Sequence, residues 1–303
     1  MTDTMITTRS VPWMKLGDIL EQDVMTAEEA VRLGGMDFTV SLQPCFQRTQ
    51  AGEFVRSDSR KWVVRDDTEE PFDVVSGDYE ILQYGEAFDF LDEINPRFVA
   101  AGTLKGGKQG FVVVQAPEME SLTLLGDDQH DLYVVVRTSH DRSRAVEAMV
   151  MPLRQRCMNQ LGLQSFKSGV ENRWSIPHTR SMHDKLHVAQ NSIKKLDVYA
   201  SELKRTAERL AAQPFSPEEG EKLIRRVLPN RPKTEEVIQS IMQLWQHGET
   251  VGYSGNGWGL VNAVSDYFDH GRAGGSAESR FTGALQGITY KMINSTAALA
   301  LAA

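Results

Sequence analysis

At 303 residues, 41% of them hydrophobic, the chain is long enough for one large domain or two smaller ones and apolar enough to bury a core. Its two cysteines exclude a disulfide scaffold and a four-cysteine zinc site. The formal net charge of -8 hides a segregation: residues 1 to 136 carry 25 acidic and 11 basic side chains, 137 to 234 carry 10 and 19, and 235 to 303 carry 6 and 3.

The chain begins Met1-Thr2-Asp3-Thr4, without the basic-then-apolar layout of a signal peptide. No apolar run approaches the ~20 residues that cross a bilayer. A folded cytoplasmic protein with no membrane partner is expected. Between Asp37 and Ala116, β-rich runs alternate with turn signals: Phe38-Thr39-Val40, Lys61-Trp62-Val63-Val64, Tyr79-Glu80-Ile81-Leu82, Phe98-Val99-Ala100 and Phe111-Val112-Val113-Val114. Gly106-Gly107 between two of these runs reads as a hairpin tip carrying Lys105 and Lys108. Glu86 to Ile94 has helical spacing and stops at Asn95-Pro96, which predicts one helix among the strands.

Asp131 to Arg137 and Ala145 to Met151 predict two further strands joined by the polar loop Ser139 to Ser143, so several arginines gather at a strand connection. From Ser181 to Ala212 the pattern becomes a long amphipathic helix. Further helices are predicted over Glu218 to Val227, Thr234 to His247, Trp258 to His270 and Ser276 to Leu301. The expected fold is α+β: an antiparallel twisted sheet of hairpins with an interposed helix, followed by a helical C-terminal region. The composition shift near residue 180 divides the chain into an α+β unit, 1–180, and a helical unit, 181–303, which could still share one core.

Several chemistries are weakly signalled. His178, His183 and His187 tempt a metal reading, but no His-Glu-x-x-His pattern is present. His140 and Asp141 beside Ser139 and Ser143 are adjacent in one loop, which does not build a nucleophile–base–orienter relay. Glu118, Glu120, Asp127, Asp128 and Asp131 read as a solvated acidic loop before they read as a magnesium site. The glycines from Gly252 to Gly259 lack the Lys-Ser/Thr of a Walker loop and the preceding strand of a dinucleotide fingerprint. No enzyme activity and no cofactor are expected, and Cys45 and Cys157 read as buried thiols.

Polyanion binding is the stronger signal. Arg137, Arg142, Arg144, Arg154, Arg156, Lys167, Arg173 and Arg180, with His140 in the same loop, can meet phosphates, while Trp174, Phe166 and Tyr133 are available for stacking on unpaired bases. Lys105 and Lys108 would add to this surface from the neighbouring hairpin. The competing structural reading is that these arginines pair with the abundant Asp and Glu of the N-terminal half.

Val75-Ser76-Gly77-Asp78-Tyr79-Glu80-Ile81-Leu82-Gln83, Ala87 to Leu91, Thr138-Ser139-His140-Asp141, Arg154 to Leu161, His178-Thr179, Trp258 to Ala263 and Asp269 to Arg272 carry a resemblance. The chain resembles a phage and plasmid-borne family known as domain of unknown function 932 (DUF932). One departure is visible: where such chains tend to have a glycine after Ser-His-Asp, this one has Arg142. The resemblance implies a mobile-element protein in a bacterial cytoplasm and comes without an activity. At the level of layout alone, the chain is similar to the Rad52/RecT/Redβ group of single-strand annealing proteins, which implies a ring or helix of subunits pairing strands without ATP. The function expected is therefore ATP-independent binding and annealing of single-stranded nucleic acid, DNA favoured, by a homo-oligomer. The alternative is a mobile-element adaptor or inhibitor that binds a host protein through its acidic N-terminal half.

Overall fold

The computed structural model describes residues 4–8, 18–20, 23–115, 122–126, 128–154, 173–178, 196–247, 254–271, 282–283, 285 and 287–303. In chain order the strands are β1 (Met5–Thr7), β2 (Asp18–Ile19), β3 (Val40–Arg48), β4 (Phe54–Arg65), β5 (Pro71–Ser76), β6 (Arg97–Leu104), β7 (Gln109–Gln115), β8 (Leu122–Leu125), β9 (Asp128–Ser139), β10 (Val146–Arg154) and β11 (Arg173–Ile176). The helices are α1 (Ala27–Leu33), α2 (Tyr84–Phe88), α3 (Leu196–Ala211), α4 (Pro217–Val227), α5 (Thr234–His247), α6 (Gly257–Asp266) and α7 (Ile288–Ala302). A 3₁₀ turn, Asp89–Ile94, continues α2, and a π turn, Tyr267–Gly271, continues α6.

The main sheet runs β11-β10-β9-β7-β6-β1-β2, with β8 also paired to β9. All its pairs are antiparallel except β1 with β2. Its central strands are apolar at consecutive positions because both faces are covered, and alternate side chains leave opposite sides of a strand. Val112, Val114, Val134, Val136, Ala148 and Val150 belong to one apolar cluster; Val113, Val135, Met149 and Met151 belong to the other. The first cluster continues without a break through Leu203, Leu210, Ile224, Trp245, Trp258 and Ile293, so the helices after residue 195 pack on the sheet's own core. Trp258 donates its indole N–H to Asp128 at 3.0 Å, a polar tie between α6 and β9.

The fold is α+β, with the expected hairpins and helical C-terminal region. Lys105 to Lys108 do form the tip between β6 and β7, with Lys105, Gly106 and Gly107 at positive φ. The predicted helix from Glu86 is α2 and its 3₁₀ continuation, ended by Asn95 in the left-handed region at φ 46. Two local expectations need correction. Tyr79 to Leu82 is not a strand: Tyr79 turns in to donate to the Ser139 carbonyl, and Gln83 uses its side-chain amide to bond both the N–H and the carbonyl of Val40. The segment is held by side chains and has no ladder partner among the described residues. Likewise only Val40 of Phe38-Thr39-Val40 lies in a strand, because Phe38 packs under Phe72 and Tyr84. The first half of the predicted helix from Ser181 lies outside the described residues, as do residues 276 to 281 of the last one, which is not continuous as expected: Gly287 bends the chain out of helix and α7 starts at Ile288.

β3, β4 and β5 form a second, three-stranded antiparallel sheet. A bulge at Pro44/Cys45 shifts the register so that Pro44 faces Lys61 and Cys45 faces Ser57. Beyond it, Cys45–Arg48 and Phe54–Ser57 pair with each other and leave β5 behind. The result is a two-stranded arm with both faces largely in solvent.

Candidate nucleic-acid interface

The basic stretch divides into arginines that are buried and paired and cations that are open. Arg137 stands directly across the β9–β10 ladder from Glu147 and donates its Nε to that carboxylate at 2.8 Å. Arg144 approaches the same carboxylate at 3.7 Å, and Arg173 of β11 donates to its other oxygen. Burial, with the Arg144 and Arg173 charges beside it, pushes Arg137 down to about 10, while Glu147 acts in the opposite sense. Arg154 is buried against Asp128 at 2.5 Å. Arg142 reaches back to Asp73 on β5 at 2.8 Å.

His140 follows β9 and is enclosed by Tyr84, Phe38 and Phe72, its ring centre 4.2 Å from that of Tyr84. Gly110 makes room for that Tyr84 ring, since a Cβ there would lie 2.6 Å from it. Both imidazole nitrogens of His140 lack a hydrogen-bond partner among the described residues, and burial lowers its pKa to about 3. His178 stacks on Tyr79 and shares a hydrogen bond of 3.1 Å with Thr138. Its pKa is also lowered by burial. In the same loop, Asp141 is occupied by the backbone N–H and hydroxyl of Ser143. These are neutral packing histidines at neutral pH, and the loop places no hydroxyl on the His140 ring.

Of the residues singled out in the sequence, Lys105 is exposed, Lys108 is half-buried with its ammonium 5.9 Å from the Phe72 ring, and neither forms an ion pair among the described residues. Trp174 is half-buried against the core, opposite Ala148, on the other side of the sheet from Arg173. Tyr133 is buried. Arg137, His140 and Arg154 are buried too, so none of the three lies open on the surface. Arg156, Lys167, Arg180, Phe166, His183 and His187 lie outside the described residues. Cys45 is a half-buried free thiol on the arm, and Cys157 falls outside the described residues.

The arm is the feature that the sequence reading missed. Phe46 faces Arg56 and Arg48 faces Phe54 in alternate cross-strand pairs, with Gln47 and Val55 between them, so all four side chains leave the same face. Phe54 is 73% exposed and Phe46 55%. Arg48, Arg56, Arg60 and Lys61 form no ion pair among the described residues. A signal was available: Phe46-Gln47-Arg48 and Phe54-Val55-Arg56 repeat the same aromatic-x-arginine step on either side of a turn containing Gly52, which sits at φ 89. The acidic sum of residues 1 to 136 concealed it.

Sheet, helical cap and arm define an α+β protein with open cations on a projecting hairpin and paired arginines at the β9–β10 corner. The chain belongs to the family described as Domain of unknown function (DUF932), whose profile matches residues 71–295. No curated protein and no solved structure matches it. The arginine corner, the histidine loop and helices α2 to α6 lie inside the matched stretch; α7 runs past its end, and α1 and the arm precede it.

Proposed function

We propose that the protein binds single-stranded nucleic acid, DNA in preference, and promotes strand annealing without ATP as a phage-type homo-oligomer. The observation that carries this reading is the arm face formed by Phe46, Arg48, Phe54 and Arg56. A guanidinium held in solvent meets a phosphate without first breaking an ion pair, and an exposed ring offers a stacking surface that unpaired bases of any sequence can use. The two pairs are one two-residue step apart, about 6.8 Å along a strand, which gives each ring its own base. Duplex DNA withholds those base faces, so the single strand is the better fit. Lys105 and Lys108 supply further open cations at the β6–β7 tip.

Fluorescence anisotropy of a labelled single-stranded oligonucleotide, titrated at several salt concentrations beside the matching duplex, tests the proposal. Salt-sensitive binding that prefers the single strand is expected. Phe54→Ala should weaken it by roughly tenfold with the salt slope unchanged. Arg48→Ala and Arg56→Ala should each flatten the slope by about 0.7. No binding to either form would overturn the reading.

One observation favours the adaptor alternative: the β4–β5 turn presents Asp66, Asp67 and Glu69 to solvent. Capture of a host protein that survives nuclease treatment and is lost when this turn is neutralised would move that reading ahead.

A further inference from the structure

We infer that the guanidinium of Arg137, with Arg144 and Arg173 beside it, is a binding site for a tetrahedral oxyanion of the phosphate class. Arg137 spends its Nε on Glu147, yet both terminal nitrogens, Nη1 and Nη2, are buried with no partner among the described residues. Those nitrogens form the planar fork that accepts two oxygens of one phosphate side by side. A buried donor without an acceptor is destabilising, and a charged donor more so, which makes an uncompensated fork an uncommon feature of a packed sheet.

The surroundings suit an anion. Arg144 and Arg173 both approach Glu147, so positive charge converges on one carboxylate from three directions. Side-chain exposure rises from 7% at Arg137 through 14% at Arg144 to 28% at Arg173, and β11 is the edge strand of the sheet. Solvent therefore approaches the cluster from the β11 side. The lowered pKa of Arg137, caused by burial and the two neighbouring cations, still leaves it charged at neutral pH; a bound oxyanion would offset both causes. This inference does not depend on the arm. Phosphate chemistry has two sources here, the monoester of a small molecule and the diester of a strand.

The test is thermal denaturation of the full chain in inorganic phosphate against chloride at equal ionic strength. A saturable rise in Tm with phosphate is expected for the unaltered protein and for Phe54→Ala, and none for Arg137→Gln. Glu147→Gln removes the competing carboxylate and should tighten phosphate by roughly tenfold. Should Arg137→Gln not fold, Glu147→Gln decides: a lowered Tm that phosphate fails to raise would overturn the inference. Equal shifts in phosphate and chloride would also overturn it. Thymidine 5′-monophosphate and an oligonucleotide without terminal phosphates separate the sources. Protection by the monophosphate alone assigns a small molecule, and protection by the oligonucleotide in competition with phosphate assigns the strand. Because phosphate is read without any oligonucleotide, failure of the arm proposal and failure of this one are distinguishable.

Discussion

Arginines in the arm and arginines in the β9–β10 corner have the same chemistry and opposite circumstances. Arg48 and Arg56 stand in solvent beside exposed phenylalanines, on a hairpin that carries little of the core. Arg137 and Arg154 are buried, each spent on a carboxylate within the main sheet. Desolvation decides the difference. A buried guanidinium must keep its partner, whereas an exposed one is free to exchange water and counterions for a phosphate. Removing an arginine should therefore be expensive for the fold in the corner and expensive only for binding on the arm.

The largest effect is expected at the Arg154–Asp128 pair. Asp128 also accepts the Trp258 indole N–H, so it joins β9, β10 and α6. Asp128→Ala takes a carboxylate partner from a buried guanidinium and from an indole donor, and should destabilise by about 3–5 kcal/mol. Urea denaturation measures it. The same experiment on Arg56→Ala should give a change within ~0.5 kcal/mol, since that side chain is exposed and forms no ion pair among the described residues. Similar losses at both positions would erase the contrast between the regions.

Next in size is a pH effect confined to the buried side of the comparison. His140 has a pKa lowered to about 3 and His130 to about 4, in both cases by burial first. The unfolded chain takes up these protons near pH 6.5, and the folded chain does so only at the lowered values. Stability is thus fully present above pH 6.5 and is lost as pH falls toward 4 and then 3. At pH 4.5 the His140 contribution to that loss should be about 2–3 kcal/mol. His140→Phe keeps an aromatic ring among Tyr84, Phe38 and Phe72 and should shrink the decline between pH 6.5 and 4.5, as read from urea midpoints. An unchanged decline would show that His140 is protonated in the folded state.

Smaller in free energy is the binding loss for the arm, about 1–3 kcal/mol for each stacking ring removed. Phe46→Ala and Phe54→Ala should weaken the single-stranded complex while leaving the melting temperature unchanged. A fall in both would mean that the rings belong to the fold.

What the sequence made legible follows the same division. Strands β6, β7, β9 and β10 and helices α4 and α5 were readable because apolar runs and helical periodicity are local signals, and here burial agrees with them. Tyr79 to Leu82 misled because its β-forming residues serve a packing role set by distant partners, Ser139 and His178. The basic zone was legible as charge, but not as burial. Glu147 is ten residues from Arg137 and Asp73 is far from Arg142 in sequence, and only the sheet brings them together. The arm escaped notice for the reverse reason: its open arginines, Arg48 and Arg56, were averaged into an acidic half.

The smallest effect concerns residue 142 in the loop after β9. Arg142 sits at φ 59, in the left-handed region that a side chain disfavours and glycine enters freely. Its partly exposed pair with Asp73, each side chain open to water, is worth little by itself. The turn is also secured by the bonds from Ser143 to Asp141, which do not involve the residue 142 side chain. Arg142→Gly relieves the backbone, adds freedom to the unfolded chain and removes the ion pair, and these terms oppose one another. The net change in stability should stay within about 1 kcal/mol, measured at low salt where the pair counts most. A loss well above that would show that Arg142 and Asp73 clamp β5 to the β9–β10 loop, placing Arg142 with the paired arginines of the corner and not with the open cations of the arm.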